Sequence, residues 1–198
     1  MNNERIVADT QPEVPLGRVD SRKMAIWTLI GSEVVFFASL ITTYIVMRNR
    51  SVVGPYPAQA LDIPLTAFNT FVLICSSLTM VTALANIQEG NVGKLRRWLI
   101  ATGALGLVFL GGQATEFTML ARQGLSLSQN LFGGTFFTLT GFHGAHVLVG
   151  IIWITFVVIR AFRGGVTREN HMAVELVGLY WHFVDLVWII IFTVVYLI

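Results

Sequence analysis

Several side chains able to carry protons, ligate metals or make strong hydrogen bonds stand inside apolar runs of this sequence. Glu33 lies in GSEVVFF, and Gln113 and Glu116 lie in LGGQATEF. His143 and His146 lie in GFHGAH, and Glu175, His182 and Asp185 in ELVGLYWHFVD. Gln113 and Glu116 are three apart, as are His143 and His146, and His182 and Asp185; Glu175 and His182 are seven apart. Residues at those spacings share one face of a helix. Each ionisable group at membrane depth costs a few kcal/mol, so these faces are expected to turn inward and satisfy one another.

Four kinds of chemistry compete for this buried polar cluster. The leading reading is a structural polar core joining the first, third, fourth and fifth helices. The second is haem or metal ligation, since histidine is the commonest metal ligand. Two stacked bis-histidine haems need histidines far apart along a helix, which a spacing of three does not supply. A carboxylate-bridged dimetal core needs Glu-x-x-His on two helices, whereas the motifs here are His-x-x-His and His-x-x-Asp. The third reading is a proton or ion path, and the fourth a lipid headgroup site at the helix ends. No nucleophile–base pair, phosphate loop, His-Glu-x-x-His motif or nucleotide fingerprint is visible. No catalytic, cofactor-binding or metal-binding residue is therefore assigned.

The elements that must position these groups follow from composition. The chain has 198 residues, 55% hydrophobic and 12% charged, with mean hydropathy +0.71. Soluble domains carry about 25% charged residues, and a bilayer-spanning helix needs about 20 apolar residues. The expected fold is all-α: a polytopic membrane protein with five transmembrane helices in one bundle. The spans are expected near 24–47, 65–87, 98–120, 131–159 and 173–198, forming one domain over 24–198 behind a polar tail at 1–23. That tail has no apolar segment of signal-peptide type. The single cysteine, Cys75, excludes an intrachain disulfide and a Cys-rich metal site.

Net charge is +2 and the pI about 9.0. The basic residues flank apolar segments, so they report orientation in a membrane and not nucleic-acid binding. Arg5, Arg18, Arg22, Lys23, Lys94, Arg96, Arg97, Arg160, Arg163 and Arg168 share one side of a five-span chain, and Arg48, Arg50 and Arg122 the other. The positive-inside rule then puts the N-terminus in the cytoplasm and the C-terminus outside. The loop basics are expected near 88–97 and 160–172.

All five prolines lie at or before Pro64, so the broken helices typical of secondary transporters lack their usual marker. Gly103, Gly106, Gly111, Gly112, Gly134, Gly141 and Gly144 read as close helix packing. Trp27 and Trp98 read as interface anchors. Trp181 and Trp188, seven apart, read as a face toward a partner chain. Phe36, Phe37, Phe136 and Phe137 read as packing, and His171 as a solvated loop residue.

These motifs carry a resemblance. GSEVVFF resembles the Ser-Glu-x-x-Phe-Phe stretch of subunit III of haem–copper respiratory oxidases, and LGGQATEF its Gln-x-x-Glu-Tyr segment, with Phe117 in place of the tyrosine. TGFHGAHVLVG and HMAVELVGLYWHFVDLVW are similar to two further segments of that family, in the same order. The similarity runs from about residue 22 to the end. The longest family members have seven helices, so this chain resembles the five-helix bacterial form, its first helix corresponding to their third.

The resemblance implies a subunit without redox centres, the haems and copper belonging to partner subunits. Subunit I is then the main contact, with subunit II, small subunits and membrane lipids as further neighbours and phospholipid as the open ligand class. It implies residence in the bacterial cytoplasmic membrane. The implied function is an accessory subunit of a proton-pumping, oxygen-reducing terminal oxidase, stabilising subunit I and supporting proton uptake. A cytochrome c oxidase is the first reading. A quinol oxidase, or a homologue associated with nitric oxide reductase, is the alternative within the family. From other classes, a small proton-coupled transporter using Glu33, Glu116 and Asp185, or a membrane cytochrome with haem between His143 or His146 and His182, stays open.

Overall fold

Long apolar runs form helices here because lipid leaves no other partner for their backbone amides and carbonyls. The structure, a computed structural model, describes residues 20–48, 50, 62–125 and 131–198. Five helices follow in order: α1 Ser21–Met47, α2 Ile63–Gln88, α3 Val92–Arg122, α4 Leu131–Phe162 and α5 Met172–Phe192, the last continued by a π-helical turn, Thr193–Leu197. All five are long and apolar enough to cross a membrane. There is no strand among the described residues. Most of the expected polar tail lies outside them, as do the prolines Pro55 and Pro57 and most of the loop before α4.

Side-chain caps set several helix starts. Asp20 accepts from the Arg22 amide at 2.9 Å, Asp62 from Leu65 at 3.1 Å and Asn91 from Lys94 at 3.1 Å. Such caps satisfy amides that have no partner in the first turn. The Asn91 cap corrects one expectation: Lys94, Arg96 and Arg97 belong to the first turns of α3 and not to a loop. Long basic side chains can stay in a helix because their heads reach back to the water boundary. The link between α2 and α3 is a tight turn through Gly90, at φ 83°. There the Asn91 amide closes on the Asn86 carbonyl at 2.8 Å. That left-handed backbone favours glycine.

The helices α2, α3, α4 and α5 pack in a closed ring, each against the next and α5 back onto α2. α1 lies outside the ring and packs chiefly on α4 and α5. α5 is the most enclosed helix and α1 the least. Trp181 fills the centre of the ring. A Cβ on Gly106 of α3 would stand 2.7 Å from its Cη2, and one on Gly150 of α4 2.8 Å from its Cε3. Close approach at small residues is the expected mode of packing in lipid. Gly111 and Gly141, by contrast, face open space, so for these two the packing expectation fails.

A second correction concerns Trp181 and Trp188. Both are only 1% exposed, so the chain's own interior covers that face and no partner does. Trp27 and Trp98 are exposed near helix ends, where anchors belong. Phe37 and Phe136 are buried, and Phe36 and Phe137 pack at the edge of the core.

Candidate functional site

Two half-buried members of the expected cluster meet across α1 and α4. His146 Nε2 of α4 lies 3.2 Å from Glu33 Oε2 of α1. Their side chains are 19% and 23% exposed, respectively. His146 Nδ1 lies 2.7 Å from the Phe142 carbonyl oxygen. A carbonyl only accepts, so Nδ1 carries a proton. Nε2 is thereby left to face the Glu33 carboxyl at hydrogen-bonding distance. Phe36, Phe37 and Phe142 pack around it, Phe37 edge-on to His146 at 5.0 Å.

At the N-terminal end of the bundle, Glu175 takes two partners. Lys23 Nζ of α1 lies 2.6 Å from one oxygen and His171 Nε2 2.9 Å from the other. His171 therefore docks on α5, beyond the solvated role expected of it. Its Nδ1 lies 2.5 Å from the Arg168 carbonyl. Glu175, His182, Lys23 and Trp27 line one groove between α1 and α2, floored by α5.

Along α5 the partners come from α2. His182 Nδ1 lies 2.6 Å from Ser77 Oγ. The Trp181 indole donates to Ser76 Oγ at 2.9 Å, and the Trp188 indole to Thr70 Oγ1 at 2.9 Å. His143 is fully buried and lies flat on Trp188 at 4.8 Å. Among the described residues, neither of its nitrogens nor Asp185 Oδ1 has a hydrogen-bond partner.

On α3, Gln113 Nε2 donates to the Thr140 carbonyl at 2.7 Å. A Cβ on Gly144 would stand 2.6 Å from Gln113 Oε1, so the amide fits only against glycine. Asn69 Nδ2 likewise donates to the Phe109 carbonyl at 2.9 Å. Glu116 Oε1 accepts from Thr66 Oγ1 at 3.0 Å and from Tyr196 Oη at 2.9 Å. Tyr196 belongs to the π-helical turn at the end of α5.

The expected residues are thus brought together only in part. Glu33 and His146 pair, but Gln113, Glu116, Glu175 and His182 each find separate partners. Same-face spacing does not mean shared polar partners: His143 and His146 both touch Phe37, but only His146 has a hydrogen-bond partner among the described residues. What the motif reading missed is α2, whose buried Thr66, Asn69, Thr70 and Ser76, with Ser77, complete the network. Their stripe was available in the sequence as polar residues at spacings of three, four and seven.

Among the described residues, no group of three or more His, Cys, Asp or Glu is placed to hold a metal ion. The donor set does not fit haem either. An axial histidine needs a free ring nitrogen facing room for a macrocycle. The α4 ligand that would have to face His182 is lacking: His146 has both ring nitrogens engaged, by the Phe142 carbonyl and by Glu33, and His143 is closed in by Phe37, Phe109 and Trp188.

Five apolar helices, with polar groups that tie helix to helix, define a polytopic membrane protein with an internal hydrogen-bond network. The family model for cytochrome c oxidase subunit III matches residues 19–198. The quinol oxidase subunit 3 of Bacillus subtilis (strain 168) is 37% identical over 174 residues, 88% of this chain and 85% of its own. The cytochrome c oxidase subunit 3 of Bacillus sp. (strain PS3) is 34% identical over 198 residues, 98% and 96% of the two chains. The cytochrome bo(3) ubiquinol oxidase subunit 3 of Pseudomonas aeruginosa is 35% identical over 171 residues, 86% and 82%. The chain belongs to the cytochrome c oxidase subunit III family, the accessory third subunits of haem–copper oxidases.

Proposed function

We propose that the chain stabilises subunit I of a proton-pumping terminal oxidase of aerobic respiration and supports its proton uptake, without catalysing a step itself. The observation that carries this reading is the family match over residues 19–198. The geometry agrees with it: Glu33, Gln113, Glu116, Glu175 and His182 bind helix to helix and do not converge on a common centre. In this reading the polar cluster, with His143, His146 and Asp185, is structural and tunes the proton environment. Glu33 and His146 hold an exchangeable proton at the edge of the bundle.

The haems and copper then reside in subunits I and II, and this chain carries no redox group. The N-terminus faces the cytoplasm in this reading, which the distribution of Lys and Arg supports, and the membrane is the bacterial cytoplasmic membrane. Cytochrome c is the proposed electron donor. Quinol is the second reading, because relatives named for either oxidase match at 34–37% identity.

Affinity purification of the chain in mild detergent, followed by an optical spectrum and identification of co-purifying proteins, tests the proposal. Haem bands arriving with a large multispan partner are expected. A haem spectrum carried by this chain alone, or proton-coupled flux in liposomes containing only it, would overturn the reading.

A further inference from the structure

We propose that the outer groove between the end of α2 and the start of α3 is a binding site for the headgroup of an anionic phospholipid. The groove has a volume of about 490 Å³ and is lined by Asn86, Lys94, Arg97, Trp98 and Ala101. The four residues from α3 stand at spacings of three, four and seven, so they form one stripe of that helix. Asn86 faces them from α2.

The chemistry of this lining is one-sided. Lys94 and Arg97 are exposed, and neither enters an ion pair among the described residues. No acidic residue lines the groove. Two unneutralised cations beside one cavity favour an anion. Basic pockets between membrane helices are a known form of anionic headgroup site. Arg97 can grip a phosphate with two parallel donors, and Lys94 adds a point charge. Asn86, only 9% exposed, has its Nδ2 held on the Thr82 carbonyl at 2.7 Å, which fixes the amide in the groove wall.

The position selects a lipid over a free anion. Trp98 is 37% exposed and sits one turn deeper than Lys94, at the level where indoles anchor in the glycerol and carbonyl zone. Deeper still, helical spacing carries the stripe from Asn86 to Thr82 and Leu78, and from Ala101 to Leu105 and Val108. Leu78 and Val108 are exposed. Cations, indole and apolar walls therefore succeed one another in the order of phosphate, glycerol and acyl chain. A free phosphate would use the first of these layers only. The site is distinct from the α1–α2–α5 groove, where Glu175 already neutralises Lys23.

Native mass spectrometry of the full-length chain, released from nanodiscs containing phosphatidylglycerol or phosphatidylcholine, tests this. The wild-type chain is expected to retain one phosphatidylglycerol that Lys94→Gln/Arg97→Gln loses, with affinity lower by roughly thirtyfold. Arg163→Gln/Arg168→Gln, on the same side of the bundle, is expected to retain it, as is the conservative Lys94→Arg. Excess inorganic phosphate is expected to leave it bound. Equal retention of the two lipids, unchanged retention in the Lys94/Arg97 variant, or displacement by inorganic phosphate would each overturn the proposal. So would loss of a co-purifying protein from that variant with its phosphatidylglycerol unchanged, which would make the groove a protein interface. The lipid readouts come from the chain alone, so they do not depend on its role in an oxidase.

Discussion

Glu33 and His146, 113 positions apart in sequence, form a hydrogen-bonded pair between α1 and α4, with His146 Nε2 3.2 Å from Glu33 Oε2. The Phe142 carbonyl fixes the tautomer from the other side of the ring. Orientation of one imidazole nitrogen by a backbone acceptor leaves the other to define the chemistry.

Glu33→Gln is expected to keep the pair. The amide nitrogen donates to Nε2 where the carboxyl stood, so the complex should assemble with a modest loss of activity. Labelling of the chain by a hydrophobic carboxyl reagent should fall in this variant. Abolished oxygen reduction in a complex with normal haem spectra would contradict the accessory role. Glu33→Leu removes the bond and is expected to loosen α1, with faster amide hydrogen exchange confined to that helix.

His182→Leu and Asp185→Asn are expected to differ. The first removes the histidine from Ser77, which keeps only Asp185 as a partner on α5, at a cost of roughly 1–3 kcal/mol, read as a lower unfolding temperature in detergent. The second keeps the size of the side chain and an oxygen that can still accept from Ser77, and only Oδ1 lacks a partner among the described residues, so its effect should be the smaller of the two. The reverse order of the two would sink this account of the α2–α5 seam.

Gly106→Ala and Gly150→Ala, from α3 and α4, each press a methyl group against the six-membered ring of Trp181. Overpacking of this kind costs about 1–3 kcal/mol. Gly111→Ala meets nothing within 4 Å and gains helix propensity of up to about 1 kcal/mol. Thermal unfolding of the three variants side by side checks the contrast, and equal melting temperatures would refute it.

Tyr196→Phe takes one of two donors from Glu116 Oε1. A loss of roughly 1–3 kcal/mol is expected. Glu116→Gln should be milder, since its amide oxygen can still accept from both hydroxyls. A Tyr196→Phe protein as stable as wild type would mean that the π-helical turn is held by packing alone.

The five helices were legible because lipid-spanning length and apolarity are written directly in the chain. Helix ends were less so: Asn91 caps α3 well before the apolar run begins, and a capping side chain resembles any loop residue until its amide partner is known. Glu33 and the histidines were visible because each is costly at membrane depth. Their partners were not. Thr70 and Ser76 both return a hydroxyl hydrogen bond to their own helix, so nothing in the sequence marks them as unsatisfied. The seven-residue interval of Trp181 and Trp188 fixed a common face, but not what covered it. That depended on hydroxyls of α2 and on glycines of α3 and α4.

The placement of α1 outside the four-helix ring has a consequence for biogenesis. α1 is made first, yet its docking surface on α4 and α5 is made last. At about 5–20 residues per second, roughly 6–23 s pass between synthesis of Glu33 and arrival of His146. Through that interval α1 sits in the bilayer with its acidic group unmatched, while α2 and α3 can already pair through their short turn. Of the five helices, the earliest made is thus the last to find its place.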